Sequence, residues 1–190
     1  MGEGLNLRNP DRVVLSLMTR GADETRALGV LMAEGLAPGD FIALDGELGA
    51  GKTCLVQGLA QGLAYRGPVA SPTFALLHLY EGGRLPLYHF DVYRLKSPEE
   101  LEGLGYEDYF YGDGVCVVEW GGRIPAYLPA RRAGLLLERP ESPESPAPGR
   151  KAGSFDHPEL RRITLTLYGD YENLRRIFDD RAAVFAAGSD

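Results

Sequence analysis

The sequence predicts an α/β protein: a three-layer fold whose mixed central sheet includes an antiparallel hairpin. Three observations lead there. A glycine-rich octad, Gly46-Glu47-Leu48-Gly49-Ala50-Gly51-Lys52-Thr53, lies between a short apolar run at 41–44 and a segment of helical apolar spacing at 54–63. Two apolar runs, 85–90 and 115–118, each close on a carboxylate, Asp91 and Glu119. Residues 75–80 and 85–90 read as strands joined by the turn Glu81-Gly82-Gly83-Arg84.

The octad fits G-x-x-x-x-G-K-[ST], the phosphate-binding P-loop. Gly49 and Gly51 let the backbone wrap closely around a polyphosphate, and the N-terminus of the following helix turns N–H groups and a positive dipole end toward it. Lys52 then neutralises the β- and γ-phosphates, and the Thr53 hydroxyl ligates Mg²⁺. Even with 25 glycines in 190 residues, shuffling produces this pattern only about once in 300 chains. Lys52 is also one of just three lysines, with Lys96 and Lys151. A P-loop seated between strand and helix makes the expected fold P-loop NTPase-like.

The other elements follow in order. Residues 13–18 read as a first strand. Asp23-Glu24-Thr25-Arg26 opens a helix with acidic residues in its first turn, and Leu28, Leu31, Met32 and Leu36 make its apolar stripe. Residues 67–74, punctuated by Pro68 and Pro72, read as a loop. Ser97-Pro98-Glu99-Glu100 has the form of a capping box with proline at the first helical position. Val115-Cys116-Val117-Val118 suits a strand buried on both faces. Ile124, Tyr127 and Leu128 suggest a short helix, and 135–137 another strand. Residues 163–167 alternate in the manner of an edge strand, and 172–187 form an amphipathic C-terminal helix. Between them 139–158 is rich in Pro, Ser and Glu, with too little apolar surface to make an element. The expected organisation is a core at 1–138, a loop insertion at 139–158, and a last strand and helix of the same domain at 159–190.

A net charge of −7 argues against autonomous nucleic-acid binding, which needs a basic face, and favours a nucleotide ligand and protein partners. No run of 18 apolar residues occurs, and Met1 to Asn6 lacks the form of a signal peptide, so no membrane association is expected. Cys54 and Cys116, the only cysteines, fall in segments expected to be buried, which suits a reducing cytoplasm. His89 has no Cys or His partner at metal spacing and reads as a packing residue. A P-loop enzyme needs a carboxylate at a neighbouring strand end to fix Mg²⁺ or position water. Glu119, after the most buried strand, is the first candidate for the metal, and Asp91 is the second carboxylate.

With these segments in hand the chain resembles the bacterial TsaE (YjeE) family. The likeness rests on 46–53 with its preceding strand, Ser71-Pro72-Thr73-Phe74, the block Leu87-Tyr88-His89-Phe90-Asp91-Val92-Tyr93-Arg94-Leu95, Pro98-Glu99-Glu100-Leu101, and Val118-Glu119-Trp120. It spans roughly residues 12 to 130. It implies an ATP- and Mg²⁺-dependent ATPase required for threonylcarbamoyl modification of tRNA adenosine beside the anticodon. Such an ATPase acts through a TsaB–TsaD complex and touches tRNA only indirectly. It further implies that Gly49, Ala50, Gly51, Lys52, Thr53 and Cys54 line the phosphate site and that Thr53 and Glu119 hold the metal. Asp91 and Glu119 become the essential acidic pair, Thr73 part of a switch-like loop, Trp120 a nucleotide-side aromatic, and Thr19 a residue near the adenine. Cys54 replaces a second threonine of the family pattern, where the backbone N–H does the binding, and Gly121 replaces a proline. Two other readings stay open: a small-molecule P-loop kinase, and a nucleotide-dependent binding module with negligible turnover. A GTPase is disfavoured, because neither D-x-x-G nor N-K-x-D occurs. Arg94 and Arg123 are the candidates for an intrinsic arginine finger.

Overall fold

The strand that leads into the P-loop is the middle one of seven. Residues 12–140 and 160–186 of the computed structural model are described here, and among them one sheet forms in the order β1-β7-β6-β2-β5-β4-β3. Its strands are β1 (Arg12–Arg20), β2 (Phe41–Gly46), β3 (Leu77–Tyr80), β4 (Leu87–Asp91), β5 (Val115–Glu119), β6 (Arg132–Glu138) and β7 (Leu160–Tyr168). β6, β2, β5 and β4 run parallel. β3 pairs antiparallel with β4 in the expected hairpin, and β7 runs antiparallel between β6 and β1. The sheet is therefore antiparallel at both sides, not only at the hairpin.

Burial follows the pleat, since successive side chains of a strand face opposite layers. On β2, Ile42 and Leu44 join the core beneath α1 (Ala22–Glu34), α2 (Lys52–Gly62) and α4 (Glu172–Ala186), whereas Phe41 and Ala43 join a second core. β5 divides in the same way, with Val115 and Val117 on one side and Cys116 and Val118 on the other. The second core is closed by a 3₁₀ helix (Pro98–Leu104), by α3 (Glu107–Phe110) and by a 3₁₀ turn (Gly121–Arg123), through Leu101, Phe110 and Ile124. The three-layer expectation holds over β2, β5 and β4. Farther out, Val14 of β1 and Leu136 of β6 are exposed on the sheet surface.

Four local expectations are corrected. β7 is an inner strand, hydrogen-bonded on both sides. Its alternation arises because Ile163, Leu165 and Leu167 face the helices while the other face is only partly covered, and one open face looks like an edge in sequence. The capping box does not close: Ser97 makes no side-chain cap, the Glu100 carboxylate accepts the Lys96 N–H, and the segment is 3₁₀. The helix suggested around Ile124 ends there, as the Gly121–Arg123 turn. Cys54 is half-buried, donating its thiol to the Ala22 carbonyl, whereas Cys116 is fully buried. Of the 139–158 insertion, all but residues 139 and 140 lies outside the described residues.

Tyr171, just before α4, ties the last helix to the start of the P-loop strand. Its hydroxyl donates to the Phe41 carbonyl at 3.0 Å and accepts the Phe41 N–H at 3.2 Å. Burial pushes its pKa up to about 12, against opposing hydrogen bonds. Tyr171→Phe leaves the buried Phe41 N–H without its acceptor and is expected to lose about 1–3 kcal/mol. A phenol whose pKa rises on folding holds its proton in the folded state after the unfolded chain has lost it. Its stabilisation is complete below the unfolded value near 10 and declines as pH rises toward about 12. Urea unfolding from pH 8 to 11.5 checks this: the parental protein should lose stability above pH 10 more steeply than Tyr171→Phe.

Candidate active site

The P-loop turns the chain from β2 into α2. Gly46 ends β2 at φ +133°, and a Cβ there would lie 2.1 Å from the Leu137 carbonyl oxygen of β6, so only glycine fits. The next turn closes with the Ala50 N–H on the Glu47 carbonyl, and Gly49 (φ +76°) and Gly51 (φ +107°) take left-handed backbone. Gly51 is the N-cap of α2 and offers no side-chain cap. The first-turn N–H groups of α2 lack intrahelical partners by construction, and a bare N-cap leaves them for an anion.

Lys52, the first residue of α2, bends back over this loop. Its Nζ donates to the Gly46 carbonyl at 2.8 Å and the Glu47 carbonyl at 2.9 Å, and it stands 3.8 Å from the centre of the Trp120 ring. The side chain is only 4% exposed. Burial lowers its pKa from the ordinary lysine value, while the carboxylates of Glu119, Asp91 and Asp45 act in the opposite direction.

Asp91 and Glu119 are register partners at the carboxyl ends of the parallel strands β4 and β5, and Glu119 is in turn the partner of Leu44 on β2. Both are buried. Their contacts differ. Glu119 Oε1 accepts the Thr53 hydroxyl at 2.8 Å, so the P-loop threonine and this carboxylate meet directly. The same oxygen is 2.9 Å from His89 Nε2. Asp91 Oδ2 accepts hydroxyl hydrogens from Ser71 at 2.7 Å and Thr73 at 2.5 Å, and Oδ1 accepts the Tyr93 N–H at 3.0 Å. Asp91 thereby latches the 71–74 loop, at whose tip Phe74 is 86% exposed. Thr53 and Glu119 supply the hard oxygen donors that Mg²⁺ takes when bound by one or two carboxylates beside a polyphosphate. Among the described residues no cluster of three or more His, Cys, Asp or Glu offers a self-sufficient metal cage.

Trp120 follows Glu119 in left-handed conformation (φ +67°), its N–H on the Leu44 carbonyl and its ring tilted 40° against that of Tyr93, with centroids 4.8 Å apart. It forms one wall above Lys52. Thr19 is fully buried, with its hydroxyl 2.8 Å from that of Thr25, the residue whose methyl flanks Gly51. Neither candidate finger reaches the loop. The Arg94 guanidinium lies over the Phe74 ring, and Arg123 donates to the Leu95 carbonyl. Arg139, directly after β6, does reach it, donating to the Gly49 carbonyl at 2.8 Å. In sequence Arg139 opens a Pro-rich segment, which carries no signal of this contact. His89 has no metal partner in sequence, and its usable signal is its place in a strand beside the one ending in Glu119.

The P-loop motif between β2 and α2, with a strand-end carboxylate on its threonine, stands in a P-loop NTPase-like fold. Known proteins narrow the class. The family model described as "Threonylcarbamoyl adenosine biosynthesis protein TsaE" matches residues 19–146, and the chain belongs to the TsaE family. The Bacillus subtilis (strain 168) protein named tRNA threonylcarbamoyladenosine biosynthesis protein TsaE is 45% identical over 125 residues, 66% of this chain and 78% of that one. The Streptomyces coelicolor protein of the same name is 40% identical over 148 residues, 76% of this chain and 91% of its own. The solved structure titled "Crystal structure of Bacillus subtilus YdiB" superposes with a TM-score of 0.69 at 36% identity, covering 89% of this chain and 96% of that one.

Proposed function

We propose that this chain is a Mg²⁺-dependent ATPase of slow intrinsic turnover that serves threonylcarbamoyl modification of tRNA adenosine next to the anticodon. It acts through a TsaB–TsaD-like protein complex, in the cytoplasm, and contacts tRNA only through that complex. The observation that carries the reading is the meeting of Thr53 and Glu119 at 2.8 Å beneath Lys52, with Asp91 on the adjacent strand end. The names of the relatives supply the pathway.

In this reading the P-loop amides and Lys52 bind the phosphates, and Lys52 exchanges its two carbonyl partners for phosphate oxygens. Thr53 and Glu119 hold Mg²⁺, which neutralises charge on the β- and γ-phosphates when bound. Asp91 orients water, and its bonds to Ser71 and Thr73 tie that role to the position of the 71–74 loop. With Arg94 and Arg123 engaged elsewhere, charge stabilisation by arginine is left to a partner or to Arg139. Slow turnover alone and faster turnover in the complex follow.

The test is a pull-down with TsaB- and TsaD-type proteins, with and without ATP, paired with a phosphate-release assay. ATP-dependent capture and phosphate release that rises with the partners are expected. Phosphate transfer to a nucleoside or other small hydroxyl compound would install the kinase reading instead. ATP-dependent capture with no phosphate release would leave a binding module.

A further inference from the structure

We propose that His89 is a positioning residue for Glu119, its Nε2–H fixing the carboxylate that shares the Thr53 hydroxyl; the assignment rests on the ATPase reading above. His89 lies in β4, opposite Val117 of β5 and His78 of β3, and is 0% exposed. Its Nε2 is 2.9 Å from Glu119 Oε1, the oxygen that also accepts from Thr53. Its Nδ1 is buried with no hydrogen-bond partner. A carboxylate oxygen accepts, so the nitrogen facing it carries the hydrogen, and Nδ1 meets no partner. The ring therefore has one polar purpose. A phenylalanine would fill the same space without stranding a nitrogen, so packing alone does not account for an imidazole here.

Two donors on one oxygen hold the carboxylate plane. His89 reaches it from a neighbouring strand and Thr53 from the P-loop helix, while Tyr80, itself anchored to the Ala70 carbonyl, packs near the His89 ring at 6.1 Å. Oε2 accepts no hydrogen bond among the described residues, which leaves it as the oxygen presented to the metal side. A Thr53 hydroxyl that gives a lone pair to a cation keeps its hydrogen for Glu119, and His89 is the second donor, independent of the P-loop, on the same oxygen. This is the arrangement in which outer partners of metal-binding carboxylates set affinity and rate.

The experiment compares His89→Leu and His89→Gln with the parental protein, with folding checked by thermal unfolding. His89→Leu is expected to lower kcat about 10- to 100-fold and raise the Mg²⁺ concentration for half-maximal rate, while ATP affinity without Mg²⁺ stays within about twofold. His89→Gln, whose amide nitrogen can donate at similar reach, should recover kcat to within about fivefold of parental. Independently of turnover, long-range ¹H–¹⁵N spectra of the parental protein, with three histidines assigned by substitution, should show His89 as the Nε2–H tautomer. A folded His89→Leu at parental rate and parental Mg²⁺ dependence overturns the assignment. So do Leu and Gln variants equally slow, or an Nδ1–H spectrum. If the parental protein releases no phosphate even with partners, the ATPase reading fails, and this assignment falls with it whatever the tautomer; the spectrum then separates that failure from an error in the His89–Glu119 geometry.

Discussion

Lys52→Ala should weaken ATP binding on the order of a hundredfold, the loss expected when a charged donor to phosphate is removed. The fold should survive. Two bonds to P-loop carbonyls are lost, but so is a desolvated ammonium, and the two changes oppose one another. Calorimetric titration together with urea unfolding of the same samples checks both halves; unchanged ATP affinity would remove the basis of the site. A linked effect carries a sign. The Lys52 pKa is depressed by burial in the free protein, and phosphate favours the charged form, so ATP binding takes up a proton where free Lys52 is partly neutral. Affinity should therefore fall as pH rises through the depressed value, below the point where an ordinary lysine titrates. In the same window the free protein gains stability with pH, because the unfolded chain binds more protons. Titrations in buffers of different ionisation heat read the proton count directly.

Glu119→Gln should lower Mg²⁺-dependent hydrolysis at least about a hundredfold while leaving ATP bound. The amide can keep its oxygen toward Thr53 and His89, but then a neutral NH₂ replaces the charged oxygen on the metal side. Asp91→Asn should also slow turnover, by another route. Asp91 accepts three hydrogen bonds, and an amide facing the Tyr93 N–H would be repelled, so it must turn toward Ser71 and Thr73 and accept from none of their hydroxyls. The 71–74 loop should then loosen, which limited proteolysis at Phe74 would detect. A steady-state assay with partners present, beside nucleotide binding, distinguishes the cases. Two variants at parental rate would remove the active-site assignment, and activity in Asp91→Asn alone would make Asp91 purely a latch.

The sequence made the centre of this fold legible because the P-loop constrains what stands on either side of it. A buried strand, a glycine turn and a helix are each visible locally, and two apolar runs ending in acids fixed which strands bring carboxylates to the loop. Less visible was anything set by neighbours. The alternation of 163–167 encodes faces and cannot say that β1 pairs beyond it. Ser97 and Glu100 have the spacing of a cap, yet the chain there tightens to 3₁₀ and Glu100 serves Lys96. Lys52 reads as a charge offered to ligand, whereas its four-carbon stem lets it fold under Trp120 onto carbonyls of its own loop. His89 and Arg139 matter through partners 30 and 90 residues away, which no local pattern encodes.

The ammonium beneath Trp120 has an optical consequence. Trp120 is the single tryptophan of the chain, and a cation 3.8 Å from its ring centre perturbs the indole excited state. Departure of Lys52 toward phosphate removes that charge, so the intrinsic emission should change as ATP seats, with no label added. In stopped flow, a change limited by collision would grow linearly with ATP concentration. One limited by release of the lysine from the Gly46 and Glu47 carbonyls would level off at the rate of that release. The plateau, if reached, is the residence time of Lys52 in its own loop.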